Sequence, residues 1–306
     1  MRRRSSCRRA DRTWAGPIGI VLAGAFAAVS AAADARLVGD INAHAGSSQP
    51  HTYAIVGERL FFTALDVDHG RELWATDGTQ EGTALFKDIN PGQAWSHAEW
   101  LSAAGERRFF TANDGVHGSE LWITDGTAEG TRLVKDIVPG AAGVEITAYA
   151  TLNGRLCFAV DDLVHGLEIW VSDGTAEGTA LLKDITPGAA GSNLGGFTLF
   201  DGRLFMWAGD GTHGLELWVS DGTTDGTMLF AEIAPGAAGR ITGWFCALDD
   251  RLLFAADDGV HGNELWVCDG TPEGTALLTD IAPDSVPTDT PASSFPAWLT
   301  RVGDRV

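Results

Sequence analysis

The sequence is poor in the residues that bind nucleic acid and in those that cross-link small secreted folds. Its 306 residues contain 21 lysines and arginines against 41 aspartates and glutamates, which gives a formal net charge of −20. Because phosphate binding needs clustered lysine and arginine, this balance excludes nucleic acid and anionic membrane surfaces as partners. The 4 cysteines are too few for a disulfide scaffold.

Long apolar runs are also scarce. The clearest one, residues 17–32, follows an arginine-rich start, and Ala31, Ala33 and Ala35 complete A-x-A cleavage sites. These features predict a secretory signal peptide over residues 1–35. An uncleaved anchor is the alternative, but the run is short for a spanning helix of about 20 residues. We therefore expect no membrane span after cleavage, and a protein secreted to the extracellular space or cell surface, or to the periplasm.

The exported chain, residues 36–306, is strongly acidic. Once the six arginines and two aspartates of residues 1–35 are removed from the totals of 21 and 41, its net charge is −24. Such a charge suits a soluble extracellular protein, or one that takes up cations. Cys157 is expected to be a small apolar residue of the core. Cys246 and Cys268 fall in the same repeat, and a disulfide between them stays open.

One segment of the remaining chain is repeated. HGSELWITDGTAEGTRLVKDI, residues 117–137, occurs five times with small changes. Its tryptophan recurs every 48 residues, at Trp74, Trp122, Trp170, Trp218 and Trp266. Constant spacing without insertion or deletion predicts one structural unit stacked on itself.

The copy at residues 146–185 indicates what one unit forms. Four short apolar runs are separated by the turn Asn153-Gly154 and by residues 161–166 and 173–178. Asn-Gly is typical of a two-residue β-hairpin. Runs that are apolar on both faces indicate a small antiparallel sheet packed between two others. Four-stranded units of about 40–50 residues around an axis are propeller blades, and a β-solenoid is the alternative.

The sequence therefore predicts an all-β fold, a β-propeller of four-stranded antiparallel blades with five complete 48-residue repeats. The complete blades are expected at about residues 51–89, 99–137, 147–185, 195–233 and 243–281. Residues 36–41 match the last strand of a unit and residues 295–306 match its start. We expect a sixth, incomplete blade split between the termini of a single repeat domain, residues 36–306. The missing middle favours a fragment or truncated reading frame, present as a monomer or as part of a longer array.

Several polar residues recur with the same period. Asp and Thr side chains bond turn backbone, so the Asp-Gly-Thr segments are expected to brace turns. The glutamate of the Glu-Leu-Trp triplet, such as Glu120, is expected to be half-buried and to need a partner. Lysine follows on the last strand in three repeats, but Ala231 and Thr279 replace it in the others. A Glu–Lys pair therefore cannot be what satisfies this glutamate in all five repeats.

Asp-x-x-His pairs also recur and are expected to ring one face of the propeller. Carboxylate and imidazole are metal ligands, and the excess of oxygen ligands favours calcium over zinc. The alternative is a turn histidine that packs on the next blade. No cofactor is required by the sequence, and calcium is the candidate ligand. The candidate metal residues are Asp66, His69, Asp114, His117, Asp162, His165, Asp210, His213, Asp258 and His261.

Residues that break the period are better candidates for a specific function, because a catalytic site needs groups in different environments. Aromatic residues at the crossings between units could line a glycan- or peptide-binding face. Their alternative role is packing of blade on blade. The candidate binding residues are Trp95, His97, Trp100, Tyr149 and Trp244. We find no nucleophile triad, zinc spacing or phosphate loop in the sequence, and so predict no catalytic residue.

The motif Glu-Leu-Trp-x-x-Asp-Gly-Thr resembles the ELWxxDGT repeat proteins, a family of secreted bacterial proteins. Here it reads ELWATDGT, ELWITDGT, EIWVSDGT, ELWVSDGT and ELWVCDGT. The resemblance implies export and arrayed repeats, and it implies no reaction. We expect a binding or surface-interaction scaffold with an extracellular glycan or protein ligand. A propeller-type polysaccharide hydrolase or lyase and a calcium-stabilised structural array are the alternatives.

Overall fold

The computed structural model describes residues 37–42, 46–236, 239–283, 291–303 and 305–306. The predicted signal peptide lies outside these residues. Residues 38–306 form one compact unit. In the described part of the chain, no helix has the length and apolar character needed to cross a membrane.

The described residues form twenty strands in five antiparallel sheets of four. The first two sheets contain β1 (His51–Val56), β2 (Arg59–Asp66), β3 (Gly70–Thr76), β4 (Ala84–Lys87), β5 (Glu99–Ala104), β6 (Arg107–Asn113), β7 (Ser119–Thr124) and β8 (Arg132–Lys135). The third and fourth contain β9 (Ile146–Leu152), β10 (Arg155–Asp161), β11 (Leu167–Ser172), β12 (Ala180–Lys183), β13 (Gly195–Phe200), β14 (Arg203–Ala208), β15 (Glu216–Ser220) and β16 (Met228–Ala231). The fifth contains β17 (Arg240–Leu248), β18 (Arg251–Asp257), β19 (Asn263–Cys268) and β20 (Ala276–Thr279).

Each sheet is a meander in which strands consecutive in the chain are neighbours. The turn between β9 and β10 shows why the chain reverses there. Asn153 and Gly154 have φ angles of 52° and 74°, and they bring Leu152 opposite Arg155 in the ladder. Both residue types tolerate the left-handed region that a two-residue hairpin needs. The predicted meander and its first turn are confirmed.

The core lies between the sheets, so both faces of the inner sheets are buried. Leu73 of the first sheet packs with Phe110 and Trp122 of the second, and the same kind of cluster joins each later pair of sheets. First strands of neighbouring sheets contact each other. Thr151 Oγ1 on β9, for example, donates to the backbone oxygen of Ala103 on β5 at 2.7 Å. Repeated propeller-like blades with two apolar faces are therefore confirmed.

The two segments predicted to share a sixth blade lie at the ends of this stack. Among the described residues of 37–42 and 291–306, no strand forms, but Val302 and Arg305 make an isolated antiparallel bridge. Leu152 and Arg155 pair in the same way at the first hairpin of a complete sheet. The strands of the described residues do not form a closed ring, and the sixth blade stays a prediction of the repeat pattern.

Candidate functional site

The Asp-Gly-Thr segments act as turn braces. Asp125 Oδ1 accepts hydrogen bonds from the backbone nitrogen and the hydroxyl of Thr127, at 2.8 and 2.7 Å. The same hydroxyl accepts from Gly130 N at 2.9 Å. Equivalent bonds occur in the other four repeats. The polar groups of this motif are therefore occupied by their own turn, as their sequence predicts.

The glutamate of each Glu-Leu-Trp triplet finds its partner in the backbone that leaves the fourth strand. Glu120 is fully buried, and its carboxylate accepts from the nitrogens of Ile137 and Val138, each at 3.1 Å. Burial raises the pKa of Glu120 to about 7, and the two backbone hydrogen bonds act against this rise. Since consecutive N–H groups of the crossing are its donors, this glutamate fixes the path from one sheet to the next.

The lysines of the fourth strand bind the neighbouring sheet rather than the glutamate. Lys135 Nζ donates to the backbone oxygen of Thr179 at 2.7 Å and lies 5.8 Å from the ring centroid of Trp170. Lys87 and Lys183 reach the corresponding turns of the second and fourth sheets. Their role is to join consecutive sheets.

In each Asp-x-x-His pair, the aspartate bonds to the histidine of the pair and to the backbone of its own turn. Asp114 Oδ1 accepts from the nitrogens of Val116 and His117, each at 2.9 Å, and Oδ2 lies 2.7 Å from His117 Nδ1. The hydrogen bond to Asp114 raises the pKa of His117. Burial opposes ionisation of Asp114, but its hydrogen bonds to His117 and Val116 outweigh this and lower its pKa. The other four pairs have the same geometry.

This geometry does not assemble a metal centre. Within the described ranges, no group of three or more His, Cys, Asp or Glu residues could hold a metal ion. In each pair, the carboxylate accepts hydrogen bonds from turn amides and also contacts the histidine Nδ1. Few ligand atoms therefore remain for a cation. The predicted ring of metal ligands is therefore not brought together.

Of the candidate binding residues, Trp100 is part of the packing between the first two sheets. Its ring lies 6.3 Å from that of Phe61 and 5.2 Å from that of Phe110. Its Nε1 donates to the backbone oxygen of Thr52 at 3.1 Å. The half-buried Trp100 therefore packs blade on blade, which was the alternative to a binding role for these aromatic residues.

Trp95 is presented to solvent at the crossing between the first two sheets. Its side chain is 43% exposed. The guanidinium carbon of Arg71 lies 5.3 Å from its ring centroid, and Arg71 also donates to the backbone oxygen of Gln49. The ring of His97 lies 5.7 Å away. Arg71 therefore holds the indole as a fixed, exposed platform. Tyr149 and Trp244 are also exposed, but on the first strands of the third and fifth sheets.

A polar cavity of about 290 Å³ adjoins His97. It lies between the first and second crossings, where Glu99, the first residue of β5, and Glu145, which precedes β9, both line it. Every 48 residues His97 is replaced, by Glu145, Asn193 and Ile241 in turn, so the cavity is not repeated in this form. The lining residues are His97, Glu99, Leu101, Thr111, Ser119, Val144, Glu145 and Ile146.

Sequence reasoning missed Glu99, Thr111 and Ser119. Two of them carry a signal, because they break the period: Thr147, Gly195 and Gly243 occupy the place of Glu99 in later repeats, and Arg71, Leu167, Leu215 and Asn263 occupy that of Ser119. We call Trp95, Arg71 and this cavity the Trp95 site.

The three described cysteines, Cys157, Cys246 and Cys268, are buried and free, so the disulfide considered for the last two is not formed. Burial raises the pKa of Cys157 to about 11. Its thiol is a packing group, as expected.

Comparison with known proteins shows remote likeness. No family model matches the sequence, and no curated protein matches it. Among solved structures, a puromycin hydrolase is 14% identical over 79% of this chain and 39% of its own, with a TM-score of 0.47. A prolyl endopeptidase structure is 13% identical, over 74% and 35%, with a TM-score of 0.46. A puromycin-hydrolyzing peptidase from Mycobacterium tuberculosis is 15% identical, over 76% and 37%, with a TM-score of 0.44. The chain spans less than two-fifths of these proteins, and the likeness assigns it no activity.

Proposed function

We propose that this chain is an exported binding module that takes an extracellular glycan at the Trp95 site. The observation that carries the proposal is the contrast between repeated and unrepeated polar residues. The repeated acids and histidines are occupied by turns and crossings, whereas Trp95, His97, Glu99 and Glu145 break the period and remain exposed. Specific recognition needs such an asymmetric set of groups, next to an aromatic anchor.

The chemistry of the Trp95 site suits a sugar. A pyranose ring presents C–H groups that pack on an indole face, and its hydroxyls bond to carboxylate, imidazole and hydroxyl groups. The cavity meets Trp95 through His97, whose ring lies 5.7 Å from the indole, and it supplies these groups through Glu99, Glu145, His97 and Ser119. Because the whole chain carries a charge of −20, the preferred glycan is neutral or cationic rather than a uronic acid or sulfated polymer.

A glycan array with the purified chain, in calcium and in chelator, tests this proposal. Trp95→Ala and Glu145→Gln are each expected to weaken binding to the selected glycan by at least about tenfold, a loss of roughly 1.4 kcal/mol. Trp244→Ala removes an exposed tryptophan from the fifth sheet and is the matched control. A blank array, or equal losses for Trp95→Ala and Trp244→Ala, would contradict the proposal.

A polysaccharide hydrolase or lyase is the second candidate, because two carboxylates line one cavity. Glu99 begins β5, whereas Glu145 lies in the next crossing, and the two have no counterpart pair in the later repeats. Glycoside cleavage uses a pair of carboxylic acids in unlike surroundings. Release of reducing ends from the bound polysaccharide, abolished by Glu99→Gln or by Glu145→Gln, would establish this activity in place of simple binding.

The same proposal has three further parts: first, export by residues 1–35; second, membership of the ELWxxDGT repeat proteins; and third, closure into a ring. The repeated motif supports the second. Two contacts support the third: the bridge between Val302 and Arg305, and the position of Gly39, where a Cβ would lie 3.4 Å from Thr83 Cγ2. One period later the same two positions are also neighbours, because Lys87 Nζ donates a hydrogen bond to the backbone oxygen of Thr131.

A further inference from the structure

The carboxylates of Glu99 and Glu145 give the Trp95 site a chemistry that the following crossings do not repeat. Both side chains are exposed, and both line the cavity of about 290 Å³. In the next two repeats the same two places hold neutral residues, first Thr147 and Asn193 and then Gly195 and Ile241. The acidic pair is therefore a property of this one cavity and not of the repeated scaffold.

No lysine or arginine neutralises these two carboxylates. The residues that line the cavity, all in the described part of the chain, include neither type. Among the ion pairs of the described residues, none contains Glu99 or Glu145. Arg71, the cation nearest to Trp95, donates to the backbone oxygen and the side-chain oxygen of Gln49. Both carboxylates thus remain available to a positively charged ligand.

An organic cation fits this cavity better than a metal ion. His97, Glu99 and Glu145 line the same space, yet within the described ranges they do not form a group that could hold a metal. An ammonium group has three N–H donors and bonds to carboxylates without a fixed coordination geometry. The cavity lies near the lower end of the roughly 300–1,000 Å³ range of small-molecule sites. It therefore suits a single small ring.

The cavity is open because the residue at position 111 is small. Trp207 takes the place of Thr111 in the fourth sheet, where Gly195 takes that of Glu99. A Cβ on Gly195 would lie 2.6 Å from Trp207 Cζ2, so the indole there occupies the space next to the backbone that a side chain would need. In the second sheet, the hydroxyls of Thr111 and Ser119 line this space instead. They can bond to the hydroxyls of a sugar.

We infer that the Trp95 site selects amino sugars: one ring packs on Trp95, and a protonated amine enters the cavity to pair with Glu99 and Glu145. The inference rests on the proposed glycan-binding function and narrows it to polymers of 2-amino-2-deoxy hexoses. Pairing with a carboxylate favours the charged form of the amine. An N-acetyl group removes that charge, so the acetylated form of the same sugar keeps the ring contact and loses the ion pair.

Isothermal titration calorimetry of the purified chain tests this inference with a glucosamine trisaccharide and its fully N-acetylated counterpart. The glucosamine form is expected to bind more tightly by at least about tenfold, and added salt should reduce this difference, because salt screens ion pairs. Equal affinities, or tighter binding of the acetylated form, would overturn the inference and leave the glycan site standing. If neither sugar binds, the inference fails, and the glycan array decides the proposed function separately.

Trilysine serves as the probe for charge without a sugar ring. It carries several ammonium groups, but it has no pyranose to pack on Trp95 and no hydroxyls for Thr111 and Ser119. We expect it to bind much more weakly than the glucosamine trisaccharide. Equal binding of the two would show that net charge, and not an amino sugar, determines the preference, and would overturn the inference.

Three variants assign the preference to the cavity. Glu145→Gln is expected to remove most of the difference between the two trisaccharides. Glu129→Gln removes the same charge from an exposed turn of the second sheet and should leave that difference unchanged. Ser119→Leu introduces the residue that the third and fourth sheets hold at this place, Leu167 and Leu215, and should weaken binding of the glucosamine form while the chain stays folded. A difference that survives Glu145→Gln, or that Glu129→Gln removes equally, would contradict the inference, and circular dichroism checks the fold of each variant.

Discussion

Glu120 Oε2 accepts a hydrogen bond from the backbone nitrogen of Ile137 at 3.1 Å, seventeen residues along the chain. The same spacing joins Glu72 to Ile89, Glu168 to Ile185, Glu216 to Ile233 and Glu264 to Ile281. One carboxylate per repeat thus sets where the backbone leaves a sheet. Trp95 and His97 lie in the first of the crossings that follow, so their positions depend on a buried acid that does not itself face the ligand.

Removal of this acid is expected to cost more than the loss of a surface charge. In Glu120→Ala, two buried N–H groups lose their acceptor, which costs roughly 1–3 kcal/mol for each unsatisfied group. Glu120→Gln keeps one acceptor oxygen and should lose less. Urea unfolding measures both changes. Glu129→Ala, in an exposed turn of the same sheet, is the control and should stay within about 0.5 kcal/mol of the parent. An alanine variant as stable as this control would rule out the bracing role.

The same glutamates predict that mild acid stabilises the fold. Burial raises the pKa of Glu72, Glu120 and Glu216 from 4.5 to about 7. Between these values the folded chain binds more protons than the unfolded chain. Linkage then requires the free energy of unfolding to fall as pH rises from 4.5 to 7, with no further change from these groups above 7.

Replacement of all three by glutamine should flatten that part of the profile, as measured by urea midpoints across the pH range. The histidines paired with aspartate act on the alkaline side. Their pKa values are raised by the Asp hydrogen bond from 6.5, so the stability they contribute is present below 6.5 and is lost as pH rises through the folded values. A profile that rises from 4.5 to 7, or is unchanged in the triple variant, would show that the glutamates are not the cause.

Gly178 is expected to resist substitution because of Asp173. A Cβ on Gly178 would overlap the carboxylate of Asp173, the acid that braces the turn. Gly178→Ala should therefore lower the free energy of unfolding by about 1–3 kcal/mol. In the double variant Asp173→Ala, Gly178→Ala, the overlap is relieved, and the combined loss should be smaller than the two single losses together. Additive losses in thermal or urea unfolding would argue against this contact.

The sheets could be predicted from sequence because their determinants are local and repeated. Asn153-Gly154 specifies a hairpin without reference to the rest of the chain, and apolar residues on both sides of Trp170 indicate two covered faces. The partner of Glu120 could not be predicted in this way. Its donors belong to the crossing, whose path depends on how two sheets stack, and Lys135, two residues before the true partner Ile137, was the more visible candidate.

The Trp95 site was only partly predictable for the same reason. Trp95 and His97 break the repeat and are visible in the sequence, but Thr111, which recurs as Thr63, reaches the cavity from a strand position that nothing in the sequence marks. Trp100 breaks the repeat as well, yet it packs on Phe61. Departure from a period therefore identifies residues with a distinct environment, and only packing decides whether that environment is solvent or core.

Calcium removal is expected to leave the melting temperature unchanged, which would exclude a calcium-stabilised array. The Asp-x-x-His carboxylates are committed to their own turns, and a ligand that binds only the folded state must raise its stability. The test is specific because four aspartates at the ends of the fourth strands each keep one carboxylate oxygen that is shielded from solvent and has no hydrogen-bond partner among the described residues. These are Asp88, Asp136, Asp184 and Asp280. If chelator lowered the melting temperature by several degrees, and Asp136→Asn reduced that shift while Asp125→Asn did not, the cation would lie at the strand ends rather than at the histidine turns.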